Sequence, residues 1–285
     1  MKRFISAVLL PLVISGCFHQ IALNSIGGIL HNGFEVLNEE QDLELAEKSI
    51  ASNIKLLESL LRSDPDNEQF LLLATIAYSS YSLGFVEDTN VERARMFYQR
   101  GKEYGMRILK HNRTFADALD RSFEEFNTAL ASFSKSDVPA LFWTAIAWGS
   151  HISWSLTDPA ALADLPKVES IMKFVLGKDS TFFHGGAHFF LGTLYGSRPN
   201  ILGGDPEASR RHFESCLNIN KGKFLMTYVY YARSYAFQIQ NKELFESCLA
   251  IVDSTSIDVL PEARLSNAIA KRKAILLREK IDELF

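Results

Sequence analysis

The sequence predicts an all-α fold: about four degenerate helix pairs stacked as a solenoid, closed by a C-terminal capping helix. Three observations predict it. The five residues FESCL occur twice, at Phe213–Leu217 and Phe245–Leu249, 32 residues apart, and periods of about 20–50 residues mark stacked arrays. A second echo pairs Leu191-Gly192-x-x-Tyr195 with Tyr231-Ala232-x-x-Tyr235, 40 residues apart. Only eight prolines interrupt 285 residues, and long stretches lack both proline and glycine, which favours helices.

The two echoes differ in period by eight residues, so the connection inside the first unit is that much longer. The extra material is GSRPNILGGD, residues 196–205, a Gly-, Pro- and Asn-containing stretch that reads as a loop. Each unit is then a helix, a connection and a second helix. The first helix carries large-small-x-x-aromatic, and the second carries Phe followed three positions on by a small residue. This is the tetratricopeptide (TPR) pattern. Gly192 and Ala232 are expected where two helices approach closely, Phe213 and Phe245 between the helices, and Tyr195 and Tyr235 beside them. Cys216 and Cys248 read as small apolar core residues, because one possible pair makes no disulfide framework. Looser copies lie upstream. Leu73-Ala74-x-x-Ala77 precedes Ala94, Tyr98 and Gly101, and Ile146-Ala147-x-x-Ser150 precedes Val168, Met172 and Val175. Their connections, SLGFVEDTN and TDPAALADLP, are irregular. The last helix, Pro261–Phe285, places Leu265, Ile269, Leu276 and Leu284 among many charges, as suits a terminal cap.

The chain opens with MKRFISAVLLPLVISGC. Lys2 and Arg3 form a basic region and Phe4–Ile14 a short apolar one, the layout of a secretory signal. Ile14-Ser15-Gly16-Cys17 matches the bacterial lipobox, so Cys17 is the expected lipid-bearing residue. Residues 1–16 are expected to be a signal peptide, 17–40 a lipidated tether and first helix region, and 41–285 the TPR-like helical domain. Beyond the leader no apolar run approaches 18 residues, so the membrane is expected to be met through the lipid anchor only. Two or more acyl chains suffice to hold a protein there. Phe18 follows the cysteine, so the aspartate that commonly retains lipoproteins at the inner membrane is absent.

Hydrophobic residues make up 47% and charged residues 22%, a globular composition, and 30 basic against 34 acidic residues leave a net charge of −4. No basic field is implied, so nucleic acid is not an expected partner. No nucleophile–base set, Walker-type lysine or HExxH is present, and the expectation is a non-enzyme without cofactor. His184-x-x-x-His188 has a metal-site spacing, but the residues between are Gly-Gly-Ala and no third ligand is evident, so no metal is expected. Asp64-Pro65-Asp66-Asn67 and Gly203-Gly204-Asp205-Pro206 read as helix starts, with Asp205 capping and Pro206 in the first turn. The tryptophan-rich stretch FWTAIAWGSHISW is apolar on several faces of a helix, which most often means core packing. Its functional reading is the wall of an apolar ligand passage, with Trp143, Trp148, Trp154 and the polar His151 as candidate ligand-binding residues.

From about Gln41 to Asp253 the chain resembles the TPR-containing T component of tripartite ATP-independent periplasmic (TRAP) transporters. The resemblance rests on EKSIASNIKLLESLLRSDPDNEQFLLLATIAYSSYSLGFVED, ERARMFYQRGKEYG, VPALFWTAIAWGSHISWSLTD and PKVESIMKFVLGKDSTFFHGGAHFFLGTLYGSRPNILGGDPEASRRHFESCLNINKG. The phrase HGGAHFFLGTLYGSRPNILGGDPEASRRHF is its most specific part; Ala187 departs from it where a proline is expected. The resemblance implies a lipoprotein anchored on the periplasmic side of a bacterial membrane. It also implies self-association, as a homotrimer, and docking of the periplasmic solute-binding protein (the P component). The implied cargo is a small organic or hydrophobic molecule. The alternative is a general TPR scaffold lipoprotein for envelope assembly, which has no need of the long 196–205 connection.

Overall fold

The computed structural model describes residues 27–30 and 32–285; the signal peptide and Cys17 lie outside them. Among the described residues 81% are helical and none forms a strand. A helical segment at 32–38 leads into α1 (Leu43–Ser63), where Asp42 caps the start by accepting from the Glu44 and Leu45 amides at 2.9 and 3.1 Å. Ala46, Ile50, Ile54, Leu57 and Leu61 form its buried stripe, the helical spacing that turns one face to a core. α2 (Glu68–Tyr81) starts at Asn67, whose side chain accepts from the Phe70 amide at 3.1 Å. It is buried on nearly all sides and runs into a π-helical turn, Ser82–Val86. By length and composition Glu68–Val86 is apolar enough to cross a bilayer, contrary to the expectation that no such run exists beyond the leader. Its burial, however, is that of a central core helix.

α3 (Val91–Leu109) buries Ala94, Tyr98, Gly101 and Gly105 against its neighbours. Two short helices, α4 (Arg113–Ala118) and α5 (Phe123–Ala129), follow and close on a cluster of Phe115, Phe126 and Phe133. Then come α6 (Val138–Ser153), the single-turn α7 (Pro159–Ala163), α8 (Leu165–Lys178), α9 (Phe182–Gly196) and α10 (Pro206–Asn220). Asp205 caps α10 by accepting from the Ala208 amide at 2.9 Å, with Pro206 in the first turn. α11 (Met226–Tyr230) continues into a second π-helical stretch, Tyr231–Ala236; α12 (Lys242–Ser254), α13 (Arg264–Glu279) and α14 (Ile281–Leu284) complete the chain.

Helices pack as sequential pairs: α2 on α3, α6 on α8, α9 on α10, and α11 with its π extension on α12. Consecutive pairs touch through α3–α6, α8–α9 and α9 with the second π stretch. α9 and α10 approach closely at Gly192, where a Cβ would lie 3.1 Å from the Phe213 ring. The Ser209 hydroxyl of α10 donates to the Gly192 carbonyl at 2.7 Å in the same contact. Phe213, Cys216, Ala232, Phe245 and Cys248 are buried, and the two cysteines are unpaired. Tyr235 stacks on Tyr231 with ring centroids 5.2 Å apart, while half-buried Tyr195 donates its hydroxyl to Glu169 at 2.8 Å.

The chain's two ends share one core, which joins α1, α2 and the start of α3 to α11, α12 and α13; a second core fills the space among α5, α6, α8 and α9. α13 buries Leu265, Ile269, Ala270 and Ala274 and reaches back to α1 and to the π turn after α2.

Replacing Gly192 with leucine overpacks the α9–α10 contact and is expected to cost about 1–3 kcal/mol. Glu214→Gln, on the exposed face of α10 and paired with Arg210 at 3.1 Å, is expected to cost no more than about 1 kcal/mol. Thermal unfolding followed by circular dichroism measures both; equal melting temperatures would contradict the close approach.

Candidate functional site

Two largely apolar hollows lie between the helix pairs, apart from a more polar cleft lined by Lys102, Trp148, Asp164 and Lys167. The first, about 250 Å³, is enclosed by the 32–38 segment, α2, α6, the start of α9 and α13. Its wall is mostly apolar, with Leu73, Ile76, Phe142, Trp143, Phe224 and Ile269 on it, and polar groups are few. The second, about 270 Å³, lies among α6, α9 and the two π-helical stretches. Leu83, Ile146 and Phe189 belong to both walls, so the hollows adjoin across these three side chains. Together their volume falls in the ~300–1,000 Å³ of small-molecule sites.

The entry to α9 shapes the first hollow. Phe183, His184 and Gly185 have φ of 48°, 59° and 85°, a left-handed turn that costs a non-glycine residue on the order of 1–3 kcal/mol. Gly185 takes this conformation at no such cost. Packing and hydrogen bonds hold the other two. The Phe183 ring lies 4.8 Å from that of Trp143 and 5.6 Å from that of Phe142, and His184 stacks on Phe224 at 5.1 Å. The His184 carbonyl accepts from the Asn220 amide at 3.3 Å and from the Cys216 thiol at 3.5 Å. The first FESCL word thus supports the turn that puts Phe183 and His184 on the cavity wall.

α6 distributes the tryptophans. Trp143 faces the first hollow and Trp154 the second. Trp148 is buried on another face; its indole N–H donates to Asp164 at 3.2 Å and the Lys102 ammonium sits 4.6 Å from its ring. His151 is half-buried, with Nδ1 3.2 Å from the Arg95 carbonyl, and lines neither hollow. The polar features of the second hollow were not singled out in the sequence. Ser153 and Thr193 donate to their own helices, to the Gly149 and Phe189 carbonyls, both at 2.9 Å. Charge enters through Glu87, Arg198 and Arg233. Glu87 is fully buried: Lys273 approaches at 2.9 Å, Arg233 at 3.8 Å, and the Tyr98 and Tyr230 hydroxyls donate to it at 2.6 and 3.3 Å. Burial alone would raise its pKa, but Lys273, Arg233 and these hydrogen bonds overcome it and hold the carboxyl below its ordinary value.

His184 and His188 do not converge, because the left-handed turn separates them. His188 instead meets His212 of α10, Nδ1 to Nδ1 at 2.9 Å. Burial lowers the pKa of His184 and His188, and burial with the neighbouring His188 takes His212 to about 4. Among the described residues no group of three or more His, Cys, Asp or Glu side chains is placed to hold a metal ion. Burial also pushes the thiols up, Cys216 to about 11 and Cys248 to about 12, which keeps both protonated and unreactive at neutral pH.

Helix pairs around adjoining hollows, largely apolar and charged at one end, define an all-helical protein with interior space. The TRAP transporter T-component family matches residues 39–285, and the chain belongs to that family. It is therefore an accessory component of a TRAP transporter, associated with the other components of that system at the periplasm-facing side of a bacterial membrane, and the family is not one of enzymes. No curated protein matches the chain.

The histidines give a pH dependence. Their folded pKa values lie below the ordinary 6.5, so the unfolded chain binds protons first as pH falls. Stability is therefore expected to drop between about pH 6.5 and 4. His212→Gln should flatten this part of the profile. Melting temperatures of both proteins across that range, at constant ionic strength, measure it; parallel profiles would contradict the assignment.

Proposed function

We propose that this chain is the lipid-anchored T component that docks the system's periplasmic solute-binding protein and passes a small organic or hydrophobic ligand through its two hollows. In this reading Cys17 carries the anchor after removal of residues 1–16, the helix pairs form a TPR-like solenoid with about four repeats, and the working unit is a homotrimer. The observation that carries the reading is the adjoining pair of apolar hollows sharing Leu83, Ile146 and Phe189. Family membership supplies the transport setting. The segment from Phe183 to Arg198 contributes to both walls, which gives the most family-specific phrase a physical task. Trp143 and Trp154 face the route, one in each hollow. Trp148, despite its place on the same helix, belongs to the packing behind it.

Docking is tested by capturing the detergent-solubilised full-length protein with the solute-binding protein of the same transport system, followed by calorimetry. Binding is expected with a Kd of about 100 μM or tighter, which corresponds to roughly −5.5 kcal/mol. No heat and no capture at that concentration would reject docking. The anchor is tested separately: Cys17→Ser is expected to lose the acylated mass and to leave the detergent phase on partitioning. An unchanged acylated mass would reject Cys17 as the lipid site.

A further inference from the structure

We infer that the second hollow is a head-group site, in which Arg198 and Arg233 receive the anionic head of an amphiphile whose apolar chain extends past Leu83, Ile146 and Phe189 into the first hollow. This deepens the passage reading and rests on it.

The charge balance around the second hollow points to an anion. Glu87, Asp88, Lys273 and Arg233 form a group of two carboxylates and two cations: Lys273 lies 2.9 Å from Glu87 and 2.7 Å from Asp88, and Arg233 3.8 Å from Glu87. That group is neutral by itself. Arg198 stands apart from it. The carboxylate that acts on Arg198, Glu169, is already ion-paired to Lys173 at 2.7 Å. Among the described residues Arg198 forms no ion pair, and its one hydrogen bond runs from Nε to the Leu194 carbonyl at 3.1 Å. Its two terminal nitrogens, the fork that grips carboxylate or phosphate oxygens, are thus unspent. Burial pulls the Arg198 guanidinium below its ordinary value, and an anion in the hollow would offset that cost.

The donors agree. Ser153 and Thr193 commit their protons to helix carbonyls and present lone pairs only. Arg233 rests over the Tyr230 ring at 4.9 Å and forms no hydrogen bond among the described residues. The guanidinium N–H groups are unspent donors on this wall, and they suit an acceptor-only head. The first hollow supplies the complement, a largely apolar space continuous in lining with the charged one. The two walls therefore sort a ligand end for end. A neutral hydrocarbon would leave Arg198 unpaired, and a small hydrophilic anion would leave the first hollow unfilled. Arg198 owes its place to the 196–205 connection, so that connection has a chemical role as well as a topological one.

The test uses full-length protein in lipid nanodiscs, with empty nanodiscs as background, and measures equilibrium binding of dodecanoate, dodecyl phosphate and dodecanol. The expected result is that at least one anion binds about tenfold or more tightly than dodecanol, and the better of the two identifies the head as carboxylate or phosphate. Arg198→Gln is expected to remove that preference while dodecanol binding and the melting temperature hold, and Arg198→Lys to keep part of it. Equal binding of alcohol and anions in the parent protein, unaffected by Arg198→Gln, would overturn the head-group site and leave the passage standing. Loss of alcohol and anion alike in Arg198→Gln would also overturn it, as an effect on the fold. Binding of none of the three probes to the parent protein would overturn the passage reading and this inference with it.

Discussion

One buried carboxylate holds the ends of this chain together. Glu87 follows the π turn after α2. Its oxygens meet Tyr98 from α3, Tyr230 and Arg233 from α11 and its π extension, and Lys273 from α13. Stripping water from a carboxylate costs several kcal/mol even after relaxation, and the cost is recovered only when every oxygen is met by good partners. Here three helices must meet at the π turn to supply them. The cluster is therefore a strong requirement on register: a shifted α13 would leave Glu87 or Lys273 charged and alone in the interior. It also ties α13 to the segment after α2 instead of leaving it to end the stack in solvent. Because Glu87 and Arg233 also line the second hollow, the group that closes the fold sets the polarity of the cavity.

A second constraint acts from the opposite side. Left-handed backbone at Phe183 and His184 persists only where its surroundings over-determine it. The surroundings are the rings of α6, the Phe224 ring after α10, and the side chains of Cys216 and Asn220. With the turn held, α9 begins at an angle that brings Gly192 against Phe213 and Phe189 between the two hollows. Strain at the entrance and close packing further along are two parts of one arrangement.

Much of this was readable before any coordinates, and the unreadable part has a consistent cause. The helical class, the paired helices and the start of α10 at Asp205 and Pro206 follow from local signals: proline scarcity, repeated spacing and cap chemistry. The cavities do not, because no single segment encodes them. Spacing on α6 says which tryptophans share a face, but not which face looks inward; Trp143 and Trp148 differ only in what packs against them. The apolar run Glu68–Val86 does not stand out in the sequence, because Ser79, Ser80 and Ser82 interrupt it. Ser79 is tolerated in the interior because its hydroxyl donates to the Thr75 carbonyl at 2.8 Å, whereas the Ser82 hydroxyl is buried with no hydrogen-bond partner among the described residues. Glu87, Arg198 and Arg233 are remote in sequence, and they line one hollow only once the segments that follow α2, α9 and α11 have assembled. The SLGFVEDTN connection read as irregular; most of it is the π turn that carries Leu83 and delivers Glu87.

The two π-helical stretches explain how so polar an end can exist inside an apolar stack. An added residue in a helix rotates everything beyond it by about 100° and breaks the regular carbonyl ladder. At Ser82–Val86 the disturbed ladder is repaired from outside, since Arg272 of α13 donates to the Gly84 carbonyl. α13 packs closely here: a Cβ at Gly84 would sit 3.0 Å from the end of the Ile269 side chain, which would have to give way. At Tyr231–Ala236 the second insertion sets Arg233 and Ser234 on the cavity wall while Tyr231 and Tyr235 stay stacked in the core. A regular helix at either place would carry its apolar stripe straight on, and the second hollow would be as greasy as the first. Two local departures from α-helix, the first met by Arg272 of α13 and the second by Glu87 just beyond the first π turn, thus give an apolar interior a charged end.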